Sequence, residues 1–413
     1  MNIFLIIILA IILIDYILDV LVGILNVRHA KLELPREFQG WYDAQKYKKS
    51  QEYLKTRTRF SVIKDSFFTA LIIAFILGGG FNYIDKFARQ FGFGPILTGL
   101  VFAAVVVFIW ELLSIPFAVY STFVIEERFG FNRTRPKTFI MDFIKSLILL
   151  AIIGGSAFAA VVWFFQTAGR LAWFYCWTAL TLFQLFLIFI APVVIMPLFN
   201  KFKPLGEGEL KEAIQDYARS QDFKMKGIYT MDGSRRSSKA NAFFTGFGRY
   251  RRIALFDTLI QKHTPEELVS VLAHEVGHYK KKHILKMMFI SIITSGLMFY
   301  LISFFINNPM LFAAFKMESL SVYASLFFFG FLYAPISMIF SIIHNIISRR
   351  NEYQADSFAV KTYPKPEVFI TALKKLTVDN LSNLTPHPLK VFLDYSHPPI
   401  LERIKTLRQI KTD

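Results

Sequence analysis

Seven apolar blocks, each long enough to cross a bilayer, constrain the fold of this 413-residue chain more than any other feature. A helix needs roughly 20 mostly apolar residues to cross the hydrocarbon core of a membrane. With 54% hydrophobic and 16% aromatic residues, the chain is too apolar for an ordinary soluble domain. We therefore predict seven membrane spans, at residues 3–26, 66–84, 97–124, 140–165, 171–198, 284–306 and 321–347.

The first block is expected to be a retained span. It is too long for the core of a signal peptide, and it lacks both a basic start and a small-residue cleavage site. The single cysteine, Cys176, lies inside another apolar block and therefore indicates nothing about the compartment.

The distribution of basic residues predicts how the spans are oriented. The net charge is +17, and Lys and Arg concentrate in the connections 27–65, 125–138 and 201–283 and in the tail from Arg349, whereas the alternate connections carry few. This alternation predicts an outside N-terminus and a cytoplasmic C-terminus. Basic loops beside membrane spans explain the charge, so we expect the lipid bilayer and no nucleic acid as a partner.

Several ionisable residues fall inside the apolar blocks. Such groups are costly in a membrane and normally face a bundle interior or a water-filled cavity, so Asp15, Asp19 and Glu111 suggest a hydrated space among the helices. Asp142 and Lys145 either share that position or lie near a helix end and extend to the interface. The same pattern would suit a transporter.

Two connections are long enough for structure of their own. The aromatic and basic loop 27–65 predicts a cytoplasmic helix lying along the membrane surface. Residues 201–283 predict a small α+β segment, which opens with a helix at Glu209–Ser220. Three short strands joined by glycine-containing turns should follow it, at Gly227–Asp232, Ala240–Phe244 and Tyr250–Phe256.

A His-Glu-x-x-His motif follows these strands. A capping box with proline at the first helical position, at residues 264–267, predicts that the motif lies on a helix. His274 and His278 then share one face and can bind one metal ion, and Glu275 can take a proton from a metal-bound water. The helix is expected to continue directly into the sixth span. His283 falls off the ligand face, so an interface position is predicted for it.

A zinc peptidase needs three protein ligands and one open position. Glu352, just after the seventh span, is the candidate third ligand, and Asp356 shares its helix face and could orient His274 or His278. The pattern thus predicts one Zn²⁺ per chain.

Three further positions are candidates for contact with the substrate. Asn241 and Ala242 could form a strand edge that binds an extended peptide, or they could be ordinary hairpin residues. His397 lies in a rigid turn, where it is either structural or able to stabilise a tetrahedral oxyanion. Arg403, in the helix after that turn, is a candidate substrate-binding residue.

Six motifs in this order resemble the type I CAAX prenyl endopeptidases, a family of seven-span membrane zinc metalloproteases. They are Ile125-Glu-Glu-Arg-Phe-Gly-Phe-Asn132, Pro197-Leu-Phe-Asn-Lys-Phe202, Asn241-Ala-Phe-Phe-Thr-Gly246, His274-Glu-Val-Gly-His278, Asn351-Glu-Tyr-Gln-Ala-Asp356 and Ser396-His-Pro-Pro399.

The resemblance implies functions for these residues. Zinc would be held by His274, His278 and Glu352, and Glu275 would be the catalytic base. The substrate backbone would lie against Asn241-Ala242, in a site lined by His397, and Asp356 would assist as a proton donor. Ser238-Lys239 departs from the pattern of some relatives, which have a histidine before the Asn-Ala pair.

The expected fold is therefore mainly α: a seven-span membrane helical bundle that encloses a chamber and carries a small cytoplasmic α+β zinc-peptidase domain. We divide it into spans one to five (1–200), the soluble insert (201–283), spans six and seven (284–347) and C-terminal cytoplasmic helices (348–413).

The resemblance implies a zinc metalloendopeptidase that acts on a peptide or protein substrate, possibly prenylated. The alternatives are a quality-control membrane protease of the HtpX type and a transporter with a vestigial metal site. The active site is expected on the cytoplasmic side, in either a bacterial inner membrane or the endoplasmic reticulum.

Overall fold

The computed structural model describes residues 2–245 and 252–410, with only the backbone at 242–245. Within this part of the chain, seven helical segments are long and apolar enough to cross a membrane. The predicted number of spans is therefore confirmed. The segments are Ile3–His29, Ala44–Leu77, Pro95–Glu126, Pro136–Thr167, Gly169–Phe199, His283–Ile302 and Val322–Thr362.

The second span differs from its prediction. Helix α2 (Ala44–Leu77) begins where the Asp43 side chain accepts the Lys46 backbone N–H, and no glycine or proline interrupts it before residue 78. The predicted separate surface helix in loop 27–65 is therefore wrong, because most of the basic residues of this loop belong to the continuous helix α2. The predicted end at residue 84 is also wrong, since Gly79 adopts a left-handed conformation (φ 73°) that ends the span.

Three of the other spans continue through π-helical turns, at Ser121–Glu126, Leu150–Gly154 and Ala191–Ile195. The helices of the first five spans and their connections are α1 (Ile3–His29), α3 (Gly80–Arg89), α4 (Pro95–Tyr120), α5 (Pro136–Leu149), α6 (Gly155–Thr167), α7 (Ala172–Ile190) and α8 (Met196–Phe199).

A four-stranded sheet lies in the insert after the fifth span. Its strands are β1 (Phe202–Pro204), β2 (Gly227–Met231), β3 (Ala242–Thr245) and β4 (Arg252–Phe256), in the order β1-β2-β4-β3. β2 and β4 are parallel, and the outer strands β1 and β3 are antiparallel to them.

Most of the insert follows the prediction. Helix α9 (Glu209–Ser220) has the predicted bounds, and three of the four strands lie within about two residues of the predicted ones. The predicted start of the last strand, residues 250–251, lies outside the described residues. Strand β1 was missed, because three residues ending in Pro204 carry almost no alternation signal.

The helix that carries the motif, α11 (Pro265–Lys280), begins at the predicted capping box, in which Thr264 and Glu267 bond each other's backbone N–H. Its predicted continuation into the sixth span is wrong. Lys282 takes a left-handed conformation (φ 57°), so the chain turns before α12 (His283–Ile302) begins.

The remaining helices complete the bundle and the C-terminal segment. They are α10 (Asp257–Ile260), α13 (Pro309–Ala314), α14 (Val322–Thr362), α15 (Pro366–Asp379), α16 (Pro388–Asp394) and α17 (Ile400–Gln409). Helix α14 is at once the seventh span and, at its end, the support of the predicted third ligand.

The described residues form separate apolar cores in the peptidase segment and among the membrane helices. In the peptidase segment, buried side chains such as Leu259, Leu268 and Val276 belong to the core in which α11 packs against α9 and α15. In the bundle, Phe315 stacks on Phe328 with ring centroids 3.8 Å apart. Large apolar side chains on the spans are otherwise widely exposed, as expected for surfaces that face lipid.

The carboxylates predicted to face a hydrated space do line one cavity. Asp15, Asp19 and Glu111 surround a cavity of about 790 Å³ between α1, α2, α4 and α14. Asp142 does not line this cavity. It forms an ion pair with Arg236 of the soluble insert, a partner that the sequence did not predict.

Candidate metal centre and active site

Two packed helices bring three potential metal ligands together. On α11, His274 and His278 lie one turn apart, and their Nε2 atoms are separated by 3.1 Å. Glu352 of α14 places Oε2 3.4 Å from the His274 Nε2 and Oε1 3.3 Å from the His278 Nε2. One ligand atom from each residue lies within 4.8 Å of the other two.

The chemistry of this group fits a divalent metal. The two imidazole Nε2 atoms face each other at 3.1 Å with a carboxylate beside them, so a cation that replaces a proton held between them would find three ligand atoms. The Glu352 Oε2 atom is buried and has no hydrogen-bond partner among the described residues. Two nitrogens and one carboxylate, with a further position open, is the ligand set of a catalytic zinc site.

A glycine permits the close approach of the two helices. A β-carbon at Gly277 would lie 3.0 Å from the Cα and 3.1 Å from the carbonyl oxygen of Ala355. Any side chain at this position would therefore meet backbone, not a movable side-chain tip. Gly277 directly precedes His278, and Ala355 lies three residues after Glu352, so the separation of the helices at this contact sets the separation of the ligands.

A buried carboxylate contacts the ring nitrogen of His274 that does not face the other ligands. The His274 Nδ1 lies 2.8 Å from the Asp356 Oδ1. Burial by itself would lower the pKa of His274, but the adjacent carboxylates of Asp356 and Glu352 outweigh burial and raise it to about 9. Of the two imidazoles that Asp356 was predicted to orient, the structure selects His274.

Arg403 supports the same carboxylates. Its guanidinium donates to both oxygens of Asp356, at 2.9 and 2.5 Å, and its Nη1 lies 3.7 Å from the Glu352 Oε2. The side chain is 10% exposed. This position differs from the expected one in the substrate site, because the guanidinium is already engaged behind the ligands; direct substrate contact by Arg403 stays a prediction.

His278 has an orienting pair that the sequence analysis missed. The His283 Nδ1 lies 3.1 Å from the His278 Nδ1, and the His283 Nε2 lies 2.9 Å from the Gln354 side-chain oxygen. On a continuous helix His283 would fall off the ligand face. The turn at Lys282 places His283 next to His278, and no local sequence pattern predicted that turn.

The remaining predicted residues differ in how far the structure relates them to the ligand group. Glu275 is partly exposed on α11, and its charge acts on Arg403. His397 places Nε2 3.4 Å from the Glu352 Oε1, with 65% of its side chain exposed. Asn241 is exposed at the start of β3, which with Ala242 forms the outermost strand of the sheet, as predicted.

These features together define a multi-pass membrane protein with a metallopeptidase type of site. Comparison with known families agrees. Residues 24–201 match the CAAX prenyl protease N-terminal domain, described as five membrane helices, and residues 204–411 match peptidase family M48. The chain belongs to peptidase family M48, and the resemblance noted in the sequence is confirmed.

Relatives cover nearly the whole chain. The CAAX prenyl protease 1 homolog of Arabidopsis thaliana is 36% identical over 91% of this chain and 90% of its own. The human homolog is 32% identical over 92% and 89%. The crystal structure of S. mikatae Ste24p superposes with a TM-score of 0.93 at 31% identity, covering 98% of this chain and 99% of that one.

The similarity confirms the fold class, a seven-span bundle with a small peptidase segment. It also establishes the chain as a membrane metalloprotease of this family, which implies a metal.

Proposed function

We propose that this protein is a zinc-dependent endopeptidase that removes C-terminal residues from prenylated CAAX proteins, with its active site on the cytoplasmic face of the membrane. The ligand set of His274, His278 and Glu352 carries the zinc assignment. The names of relatives that cover nine-tenths of the chain support the substrate class. The basic loops on the side of the sheet support the orientation.

The proposed chemistry is metal-assisted hydrolysis of a peptide bond. Bound zinc would supply a water of lowered pKa and polarise the scissile carbonyl. Glu275 takes the proton of the attacking water and passes it to the leaving amine. His397, exposed beside Glu352, is positioned to stabilise the oxyanion that develops on the carbonyl oxygen.

The other residues position ligands and substrate. Asp356 fixes the His274 ring through Nδ1, and Arg403 keeps the Asp356 carboxylate in place. On the other side, His283 fixes the ring of His278. We propose that the outer edge of β3, from Asn241-Ala242, binds the substrate backbone as an added strand.

The decisive experiment is cleavage of a farnesylated CAAX peptide by detergent-purified protein, with and without a zinc chelator, beside Glu275→Gln. We expect chelator-sensitive cleavage, and a loss of about 100-fold or more in the variant because the general base is gone while three ligands remain. Zinc content of the variant should equal that of the unmodified protein. Proteolysis retained in Glu275→Gln would contradict the assignment.

The same peptide without its prenyl group tests the substrate class. Equal cleavage of both peptides would favour a general membrane protease of the quality-control type over a prenyl-dependent enzyme. No bound zinc and no cleavage of either peptide would contradict the proposed zinc-dependent activity.

Glu352→Ala tests the third ligand. We expect zinc content to fall, measured by metal analysis after dialysis, because two imidazoles alone hold zinc weakly. His397→Ala is the control, since it removes an imidazole close to Glu352 without removing a ligand, and it should retain zinc. Unchanged zinc in Glu352→Ala would remove Glu352 from the ligand set.

A further inference from the structure

A cavity of about 500 Å³ opens where the fourth span begins, away from the metal centre, and basic residues surround it. Arg133, Arg135 and Lys137 come from the connection before α5 and from its first turn, and Arg235 comes from the turn between β2 and β3. A cavity of this size can hold a small ligand. Four positive charges around one cavity repel one another, so an anion would stabilise the arrangement.

No carboxylate of the described chain neutralises these four cations. All four side chains are exposed, and none has an ion pair or a side-chain hydrogen bond within the described residues. The nearby carboxylates are already engaged. Asp142 binds Arg236, and Asp257 accepts the backbone N–H and the hydroxyl of Ser234.

The cavity is held in shape by bonds between the membrane and peptidase segments. The Arg236 carbonyl accepts the Arg133 backbone N–H at 3.0 Å and the Thr134 hydroxyl at 3.1 Å. The Asn132 side chain accepts the Thr134 N–H at 2.8 Å. The loop from α4 and the Arg235 turn are therefore fixed relative to each other, so the backbone that carries the cations is in place before a ligand binds.

An apolar surface continues from the cavity along α5. Met141 lines the cavity itself, and Ile140, Ile144 and Ile148 follow on the same helix with large exposed fractions. These residues lie in a membrane span, so this surface faces acyl chains.

We propose that this cavity binds an anionic phospholipid. The phosphodiester and its negative headgroup lie among Arg133, Arg135, Lys137 and Arg235, and the acyl chains follow the apolar face of α5. Charge complementarity selects the anion, and the adjoining apolar surface selects a lipid over a free phosphate. Because Arg235 belongs to the peptidase segment, the lipid would join that segment to the membrane.

Native mass spectrometry of the full-length protein in detergent tests this proposal. Phosphatidylglycerol and phosphatidylcholine with identical acyl chains are titrated against the unmodified protein and against the triple variant R133Q/R135Q/R235Q. We expect phosphatidylglycerol to bind more tightly, and the variant to bind it about tenfold or more weakly, because each surface cation contributes to the attraction of an anionic lipid. Phosphatidylcholine binding should be similar in both proteins.

The matched control is K48Q/K55Q/R59Q, which removes an equal number of positive charges, three, from exposed positions on α2. It should bind phosphatidylglycerol like the unmodified protein. Thermal unfolding of both variants, and the single variant R235Q, separate loss of the site from loss of the fold. Equal phosphatidylglycerol binding by the two triple variants would overturn the proposal. Displacement of the lipid by glycerol phosphate at equal concentration would also overturn it, since the site would then bind a free anion.

Discussion

At the scale of single residues, Glu352 is where the parts of the site meet. Its two oxygens lie 3.3–3.7 Å from His274, His278, His397 and Arg403. A carboxylate buried to this extent is stable only when opposite charge or a metal compensates its lost hydration. The surrounding imidazoles and guanidinium supply part of that compensation, and a bound cation would supply the rest.

The raised pKa of His274 predicts how metal affinity depends on pH. The metal-free protein protonates this imidazole below about pH 9, and a metal can bind only after the proton leaves. Apparent affinity should therefore rise by about tenfold per pH unit and level off near the pKa, as far as this group is concerned. Competition with a chelator of known affinity, between about pH 6 and about pH 10, measures this curve.

The variant Asp356→Asn tests whether the Asp356 carboxylate causes the raised pKa of His274. The variant loses one of the two hydrogen-bonding carboxylates that raise the pKa of His274, so its curve should level off at a lower pH. Its affinity on the plateau should be about 10-fold to 100-fold lower, as for other groups that orient a metal-binding histidine. A curve that levels off at the same pH in both proteins would contradict this explanation.

At the scale of elements, the site depends on how closely α11 packs on α14. Each helix alone presents only part of the ligand set. The separation of the two helices at Gly277 and Ala355 fixes the distance from Glu352 to the two histidines. Packed interiors do not adjust smoothly to an added methyl group.

Gly277→Ala should therefore reduce both stability and zinc affinity. Alanine normally favours a helix over glycine by up to about 1 kcal/mol, but here its methyl group meets backbone atoms, and overpacking costs about 1–3 kcal/mol. Thermal unfolding and metal analysis measure the two effects. Gly155→Ala is the control, because the nearest atom to its β-carbon would be 3.9 Å away, and it should leave both quantities unchanged or raise stability. Full zinc content in Gly277→Ala would show that the helices can separate without moving Glu352.

At the scale of the whole molecule, the peptidase segment is joined to the bundle by charged contacts as well as by the shared helix α14. Arg236 donates to both carboxylate oxygens of Asp142 in the fourth span and to the Phe199 carbonyl at the end of the fifth. Lys239 binds Glu126 of the third span at 2.9 Å. These contacts fix the sheet, and thus the β3 edge, over the bundle.

A double-mutant cycle on Arg236→Gln and Asp142→Asn should show coupling of about 1–3 kcal/mol in the free energy of unfolding, because the pair is bidentate and partly buried. Thermal unfolding in detergent is the measurement. The exposed pair Arg219–Asp216 is the control, and its coupling should lie near zero since solvent screens it. Similar coupling in both pairs would mean that the contact adds no particular stability.

Much of the chemistry could be read from local patterns. The capping box at 264–267 and the four-residue spacing of His274 and His278 are properties of one helix, so no packing information was needed. Glu352 and Asp356 were found because they follow a span that returns to the same side. His283 was misplaced, since its role depends on a left-handed turn at Lys282.

The number of spans, the helix of the motif and the identity of the candidate ligands could be predicted from local sequence, because hydrophobicity and helical spacing act over short stretches of chain. The continuity of α2, the action of Asp356 and Arg403 on His274 and the pairing of Asp142 with Arg236 became visible only in the folded molecule. These contacts join residues far apart in the chain, and their distances follow from how whole helices pack, which no local pattern encodes.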